Sequence, residues 1–179
     1  MTIDIDNTLR LELLDRKHAP MLFDAVDQSR EHLAAFLPWV SRMQQPGDFE
    51  TYVESCMQLQ QQQKEASFVM VYRNVVVGRI GIHYINPLNR SGAIGYWITA
   101  TACGNGIVTR SCAAITGYGF NELDLHRIEI KAAVHNLKSR AVPERLGFTQ
   151  EGLLRQAELV NGIYFDLVLY SMLNHEWGG

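Results

Sequence analysis

Two stretches combine residue types that can do chemistry together. In the first, Cys103-Gly104-Asn105-Gly106-Ile107-Val108-Thr109, a strand pattern gives way to a helical one, and two glycines let consecutive backbone N–H groups turn toward one point. A helix start of this kind holds anions, because its first amide protons lack partners and the macrodipole adds positive potential. The chemistry predicted is phosphate binding; a helix-opening turn without a ligand is the plainer alternative. Thr109 occupies the place of the third glycine of a G-x-G-x-x-G dinucleotide fingerprint, and the preceding strands form a meander instead of a βαβ unit. A Walker loop is excluded too, since no Gly-Lys-Ser/Thr follows.

The second stretch runs from Asn136 to Phe148 (NLKSRAVPERLGF). Asn136 fits an N-cap and Gly147 a C-cap, so the segment reads as a short helix after a strand. Pro143 has no N–H to offer the carbonyl of Ser139 four residues earlier, which leaves Ser139 in a disturbed stretch of backbone. Elsewhere the candidates are weaker. Trp39, Trp97 and Tyr164 suit either an acceptor groove or the core. His83 and His135 have the chemistry of bases but no adjacent carboxylate to orient them, and Cys112 reads as a small buried hydrophobe. Cys103, beside the phosphate loop, is either inert or a thiol able to form a mixed disulfide with a thiol cofactor.

The elements that must position these residues follow from periodicity. Leu9 to Leu14 alternates like an edge strand, and Asp15 is placed to cap a helix from about Lys17. A short amphipathic piece carries Leu33, Phe36 and Leu37, Pro46-Gly47 reads as a turn, and Asp48 as the cap of a helix with Phe49, Tyr52, Val53, Cys56 and Met57 on one face. The glutamine-rich run from Gln58 to Gln63 reads as the solvated end of that helix. Phe68–Arg73 and Val75–Ile85 form a hairpin about Asn74, and Ala93–Ile98 a third strand. A helix from about Gly106 to Leu123, a strand His126–Val134, a helix Leu137–Leu146 and strands near Glu151–Glu158 and Tyr164–Met172 complete the order, the last two joined at Asn161-Gly162. This is a mixed α/β chain, a single domain over residues 1–179.

Composition narrows the classes. The chain has 179 residues, 47% apolar and 20% charged, which suits one soluble core. A net charge of −3 argues against a nucleic-acid binder. Three cysteines without C-x-x-C spacing and scattered histidines predict no disulfide framework and no metal. No apolar leader or spanning stretch is evident, so a cytoplasmic protein away from membranes is expected.

Taken together, the G-x-G at the start of the long helix, the N-x-x-S…R-L-G-F stretch some thirty residues later and the meander-helix-strand-helix order resemble the GNAT superfamily over essentially the whole chain. The tail from Leu159-Val160-Asn161-Gly162 to Leu169-Tyr170 resembles its ribosomal-protein-serine N-acetyltransferase branch. That resemblance implies a mostly antiparallel twisted sheet of about seven strands with flanking helices. It also implies an acetyl-CoA site with pyrophosphate on the amides of Cys103 to Thr109 and the pantetheine arm along a splayed strand at Tyr96, Trp97 and Ile98, close to Asn136 and Ser139. Ser139 and Glu158 fall on the branch's proposed catalytic positions. Two positions depart from the superfamily pattern: Thr101 stands where Gln or Arg precedes the glycines, and Pro143 where many members carry a tyrosine acid. The resemblance implies N-acetylation of a protein N-terminus, with a small amine as the rival acceptor, a non-catalytic acyl-CoA sensor as the rival class, and a homodimer as the assembly.

Overall fold

Six consecutive buried residues, Ala66 to Val71, require a strand covered on both faces, since successive side chains point to opposite sides. In the computed structural model, which describes residues 1–178, this strand is β3 (Ala66–Tyr72) of an eight-stranded sheet. The other strands are β1 (Thr2–Asp4), β2 (Leu9–Leu13), β4 (Val75–Asn86), β5 (Ser91–Ile98), β6 (Arg127–Ala133), β7 (Thr149–Val160) and β8 (Ile163–Leu173). The helices are α1 (Ala19–Asp27), α2 (Arg30–Ala34), α3 (Pro46–Gln61), α4 (Ile107–Asn121) and α5 (Leu137–Arg145).

Spatial order is β1-β2-β3-β4-β5-β6-β8-β7, antiparallel except where β5 meets β6. Phe68 and Met70 point into a core shared with Ile107, Ile115 and Val142 of α4 and α5. Val69 and Val71 point the other way, into a core built with Leu22, Val26, Phe49 and Val53 of α1 and α3. Alternation along one strand thus assigns the two helix groups to opposite faces.

Several expectations change. Leu9–Leu13 is not an edge strand, because Thr2–Asp4 pairs outside it, and its Leu9 and Leu11 point into the α4–α5 core; three residues are too few for a period to show. Pro46 begins α3 instead of making a turn, and Asp48 acts from the third helical position, accepting from the N–H groups of Gln44 and Gln45 at 2.8 and 2.9 Å. The hairpin turn is Arg73-Asn74, both at positive φ as a type I′ turn needs. The order β6-β8-β7 places the last strand inside the sheet, next to β6.

Three carboxylates are held well below their ordinary value. Hydrogen bonding from Lys17, with help from His18 and Arg10, brings Glu12 to about 2. Arg127 and Ser171 do the same for Glu151, to about 2. Burial alone would raise Glu65, but the His83 hydrogen bond and the Arg79 charge overcome it and hold it at about 2. A depressed carboxyl contributes stability that is fully present above its unfolded pKa and lost as pH falls through the folded one. Urea unfolding is therefore expected to show a stable plateau above about pH 4.5 and a steadily falling midpoint toward pH 2. Equal midpoints at pH 6 and pH 3 would contradict these pairings.

Candidate active site

Strands β5 and β6 pair only from Ser91–Ile94 against Arg127–Ile130, although β5 runs on to Ile98 and β6 to Ala133. Beyond that row each strand stays bonded to its outer neighbour, β5 to β4 as far as Ile98 and β6 to β8 as far as Ala133. The two inner edges face each other unpaired, and buried main-chain groups demand partners. An extended ligand with its own amides fits this slot.

At the far end of β5 the chain reaches the glycine loop that the sequence marks for phosphate. Gly104 and Gly106 have φ of +81° and +67°, a region only glycine enters without strain. A Cβ on Gly104 would meet nothing within 4 Å, and one on Gly106 only the Arg110 Nε at 4.0 Å, so the loop fronts open space. The Asn105 side chain ties the loop down by donating to the carbonyls of Ala102 and Cys103 at 3.1 and 3.3 Å. Buried Ile107 anchors α4, whose first backbone bond runs from Arg110 N–H to the Gly106 carbonyl at 3.1 Å. The N–H groups of Ile107, Val108 and Thr109 therefore precede any helical acceptor. Cys103 lies half-buried, its Sγ donating to the Thr99 carbonyl at 3.4 Å and 3.6 Å from His32 Nε2.

Arg110 is a site residue the sequence reading missed. Its guanidinium folds back over the loop, donating to the Gly106 and Asn105 carbonyls at 3.4 and 3.3 Å and to the Asp6 carboxylate. A cation stands here although Thr101 supplies none. The signal lay four residues after Gly106, one helical turn on, where side chains share a face.

Tyr96 and Ser139 meet across the slot. The Tyr96 hydroxyl donates to the Ser139 carbonyl at 2.9 Å, which satisfies the acceptor that Pro143 leaves without an amide. In return the Ser139 hydroxyl reaches Tyr96 Oη at 3.3 Å. Burial pushes the Tyr96 phenol above its ordinary range, so it stays a neutral donor. Asn136 caps α5 by accepting from the Ser139 N–H at 3.1 Å, and Gly147 takes φ +77° beyond its end. Trp97 turns the other way, into the core against Trp39 at 6.0 Å, and only its main chain is left for the slot.

Glu158 stands across from Phe165 in the β7–β8 pair, just after an irregularity in which four steps of β7 span two of β8. Such bulges bend a strand and re-aim side chains. Among the described residues it has neither hydrogen-bond nor ion-pair partner, and burial raises its pKa. Phe165 packs edge-on to His135 at 4.4 Å, and His135 on Phe36 at 5.4 Å, so this side belongs with the α2 segment. Tyr164 is exposed. The expectation for His83 needs correction: Glu65 Oε2 lies 3.1 Å from its Nδ1.

A slot between parted strands, a helix N-terminus with a cation at one end and a hydroxyl pair beside it define an acyl-transferase that takes its acyl group from a phosphate-bearing carrier. The profile of the acetyltransferase (GNAT) domain family matches residues 8–149. A Bacillus subtilis (strain 168) protein, YdaF, assigned only provisionally to ribosomal N-acetylation, is 36% identical over 182 residues, 99% of this chain and 98% of its own. The ribosomal-protein-serine acetyltransferase of Escherichia coli (strain K12) is 30% identical over 172 residues, 96% of each chain. The solved structure of RimL, a ribosomal L7/L12 α-N-protein acetyltransferase, with coenzyme A superposes with a TM-score of 0.93 at 29% identity, covering 97% of this chain and 98% of that one. The chain belongs to the GNAT acetyltransferase family and is an acetyl-CoA-dependent N-acetyltransferase. Among the described residues no group of three or more His, Cys, Asp or Glu is placed to hold a metal.

The loop geometry predicts that Gly106→Val folds but binds acetyl-CoA at least ~10-fold more weakly, since its side chain would fill the space in front of the amides and its positive φ would cost about 1–2 kcal/mol. Calorimetric affinity equal to wild type in a folded variant would place the phosphates elsewhere.

Proposed function

We propose that this enzyme acetylates the N-terminal α-amine of a ribosomal protein, with Glu158 receiving a proton from the incoming ammonium and Ser139 assisting the departing thiolate. The observation that carries this reading is the setting of Glu158, a half-buried carboxylate without a partner on a hairpin that presents Leu159, Ile163 and Tyr164 to solvent. An unpaired, desolvated carboxylate attracts a cationic amine, and exposed apolar side chains beside it suit a peptide better than a small polyamine. Full-length likeness to the ribosomal-protein-serine acetyltransferase supports the same choice, whereas spermidine N(1)-acetyltransferase of Escherichia coli (strain K12) is 26% identical over 64% of the chain.

The slot amides and the loop from Cys103 to Thr109, with Arg110, hold acetyl-CoA. Glu158, directly or through a water, takes the proton that must leave before the amine can attack. Ser139 rotates its hydroxyl from the long 3.3 Å contact with Tyr96 and donates to the sulfur as the C–S bond breaks. Three free cysteines fit a reducing cytoplasm. A homodimer, the assembly that the family resemblance implies, belongs to the same reading.

Turnover on peptides copying ribosomal-protein N-termini is expected to exceed that on spermidine and other small amines by at least ~10-fold in kcat/KM, since the peptide adds binding energy at the hairpin. The reverse ranking overturns the acceptor assignment. Glu158→Gln should lower turnover by roughly 10²–10⁴, with cofactor affinity near normal and partial recovery at high pH, where the amine is already neutral. Because burial raises the Glu158 pKa, the wild-type acid limb should lie above the ordinary carboxylate value of 4.5. Ser139→Ala should slow turnover without that recovery. Wild-type rates in both variants across pH, with chemistry limiting, would reject the pair.

A further inference from the structure

The second core contains a polar cluster that the cofactor site does not use. Arg79, Glu65 and Ser67 are 7%, 8% and 0% exposed, and His83 lies at their edge with its side chain 19% exposed. Arg79 Nη2 donates to Glu65 Oε1 at 2.6 Å and also bonds the Ser67 hydroxyl, which in turn bonds Glu65 Oε1. The second carboxylate oxygen, Oε2, faces His83 Nδ1 at 3.1 Å. Burying this many charges is costly unless they are mutually satisfied, and replacing such clusters by apolar residues is often neutral or stabilising. Stability alone therefore does not account for this cluster.

Hydrogen bonding selects the tautomer of the ring. Glu65 is ionised and can only accept, so Nδ1 carries the proton; Arg79 Nη1, a donor, sits 3.4 Å from Nε2, so Nε2 presents its lone pair. The Nε2–Cδ2 edge of the ring lies against β5. A Cβ added to Gly95 would stand 3.3 Å from both Nε2 and Cδ2 of His83. Gly95 is the first β5 residue beyond Ile94–Ile130, the last row paired to β6. The basic nitrogen thus overlies the mouth of the slot. Register carries the sidedness: His83, Ala93 and Glu129 share a row, as do Gly81 with Gly95 and Arg79 with Trp97, and Trp97 belongs to the α1–α3 core. Tyr96 and its partner Ser139 occupy the opposite face. The titratable groups packed about His83 are Glu65 from the start of β3, Arg79 and Tyr84 of β4, and Tyr52 and Cys56 of α3, which themselves meet Arg79.

We propose that His83 is a second catalytic base, which takes the proton released from the attacking nitrogen as the new C–N bond forms, with Glu65 and Arg79 as positioning residues. An ammonium acceptor sheds two protons on its way to an amide. The first leaves before attack; the second leaves when nitrogen has bonded to the acetyl carbon and carries positive charge. In that second step the N–H bond breaks, its electron pair stays on the amide nitrogen, and a bond forms from His83 Nε2 to the proton. Glu65 offsets the imidazolium charge, and the exposed edge of the ring passes the proton to water. This role rests on acetyl transfer, not on the ribosomal acceptor, and is separate from that of Glu158.

Chemical rescue tests it. His83→Ala should fold, bind acetyl-CoA normally and lose about 10²-fold or more in kcat. Added imidazole and its methylated derivatives should restore turnover with a rate that rises with the basicity of the added base. Glu65→Gln should lower kcat with little change in acetyl-CoA affinity. Should His83→Ala prove unstable, His83→Gln provides the same loss of base without the cavity. Rates within about threefold of wild type in the folded variant under single-turnover conditions overturn the proposal. Rescue independent of basicity does so too, because it shows that the added molecule only fills space. Loss of activity in the His83 variants with normal activity in Glu158→Gln would reject the Glu158 assignment and leave this one standing.

Discussion

Two neighbouring strands that part half-way along their length leave main-chain groups with nothing to bond, and a folded chain tolerates this only if each strand is secured from outside. Here β5 stays paired to β4 as far as Ile98, and β6 to β8 as far as Ala133, so the gap beyond Ile94 and Ile130 is held open by its flanks. Two hydrogen bonds between Tyr96 and Ser139 reach across the gap. Pro143 deprives the Ser139 carbonyl of its helical partner, an omission worth about 1–3 kcal/mol in a buried group, and the Tyr96 hydroxyl supplies the replacement. A helix defect and a strand defect satisfy each other. The same contact brings two hydroxyls together beside the slot, where the proposed mechanism sets the breaking thioester.

The sheet also works as a partition. Side chains alternate along β5, so Tyr96 joins Ser139 on the α4–α5 face while Gly95 and Trp97 lie on the α1–α3 face beside His83. In the proposed assignments the strand plane therefore separates Ser139, the donor to the leaving group, from His83. Glycine at position 95 leaves room for the imidazole over β5, and the positive φ values at Gly104 and Gly106 turn the loop toward the proposed phosphate site.

The loop, the Asn136 cap and the Gly147 terminus were legible in the sequence because local geometry there depends on the residues themselves. The pairing of Arg110 with Asp6 was not, since the two lie 104 residues apart. The Glu65–His83 pair was hidden by one irregularity. Counting back from Tyr72–Val75 sets Glu65 opposite Ile82, on the wrong face; a register shift between Met70 and Val71 moves the count by one, so that Ala66 pairs with Ile82 and Glu65 comes level with His83. Strand β1 was too short to show a period, and the insertion of β8 beside β6 depends on contacts between distant segments. Glu158 was found by family resemblance, while the bulge that precedes it carries no strong local signal beyond Gln156 at positive φ.

Hydrogen–deuterium exchange with and without acetyl-CoA tests the central claim most directly, because the slot is defined by amides that lack partners. Saturating cofactor is expected to slow exchange in Gly95–Ile98 and in Cys103–Thr109 while leaving β1, β2 and the solvent-facing turn of α3 unchanged. Unaltered exchange in both segments at a cofactor concentration that supports turnover would contradict the account, since the parted strands would then not be where acetyl-CoA lies.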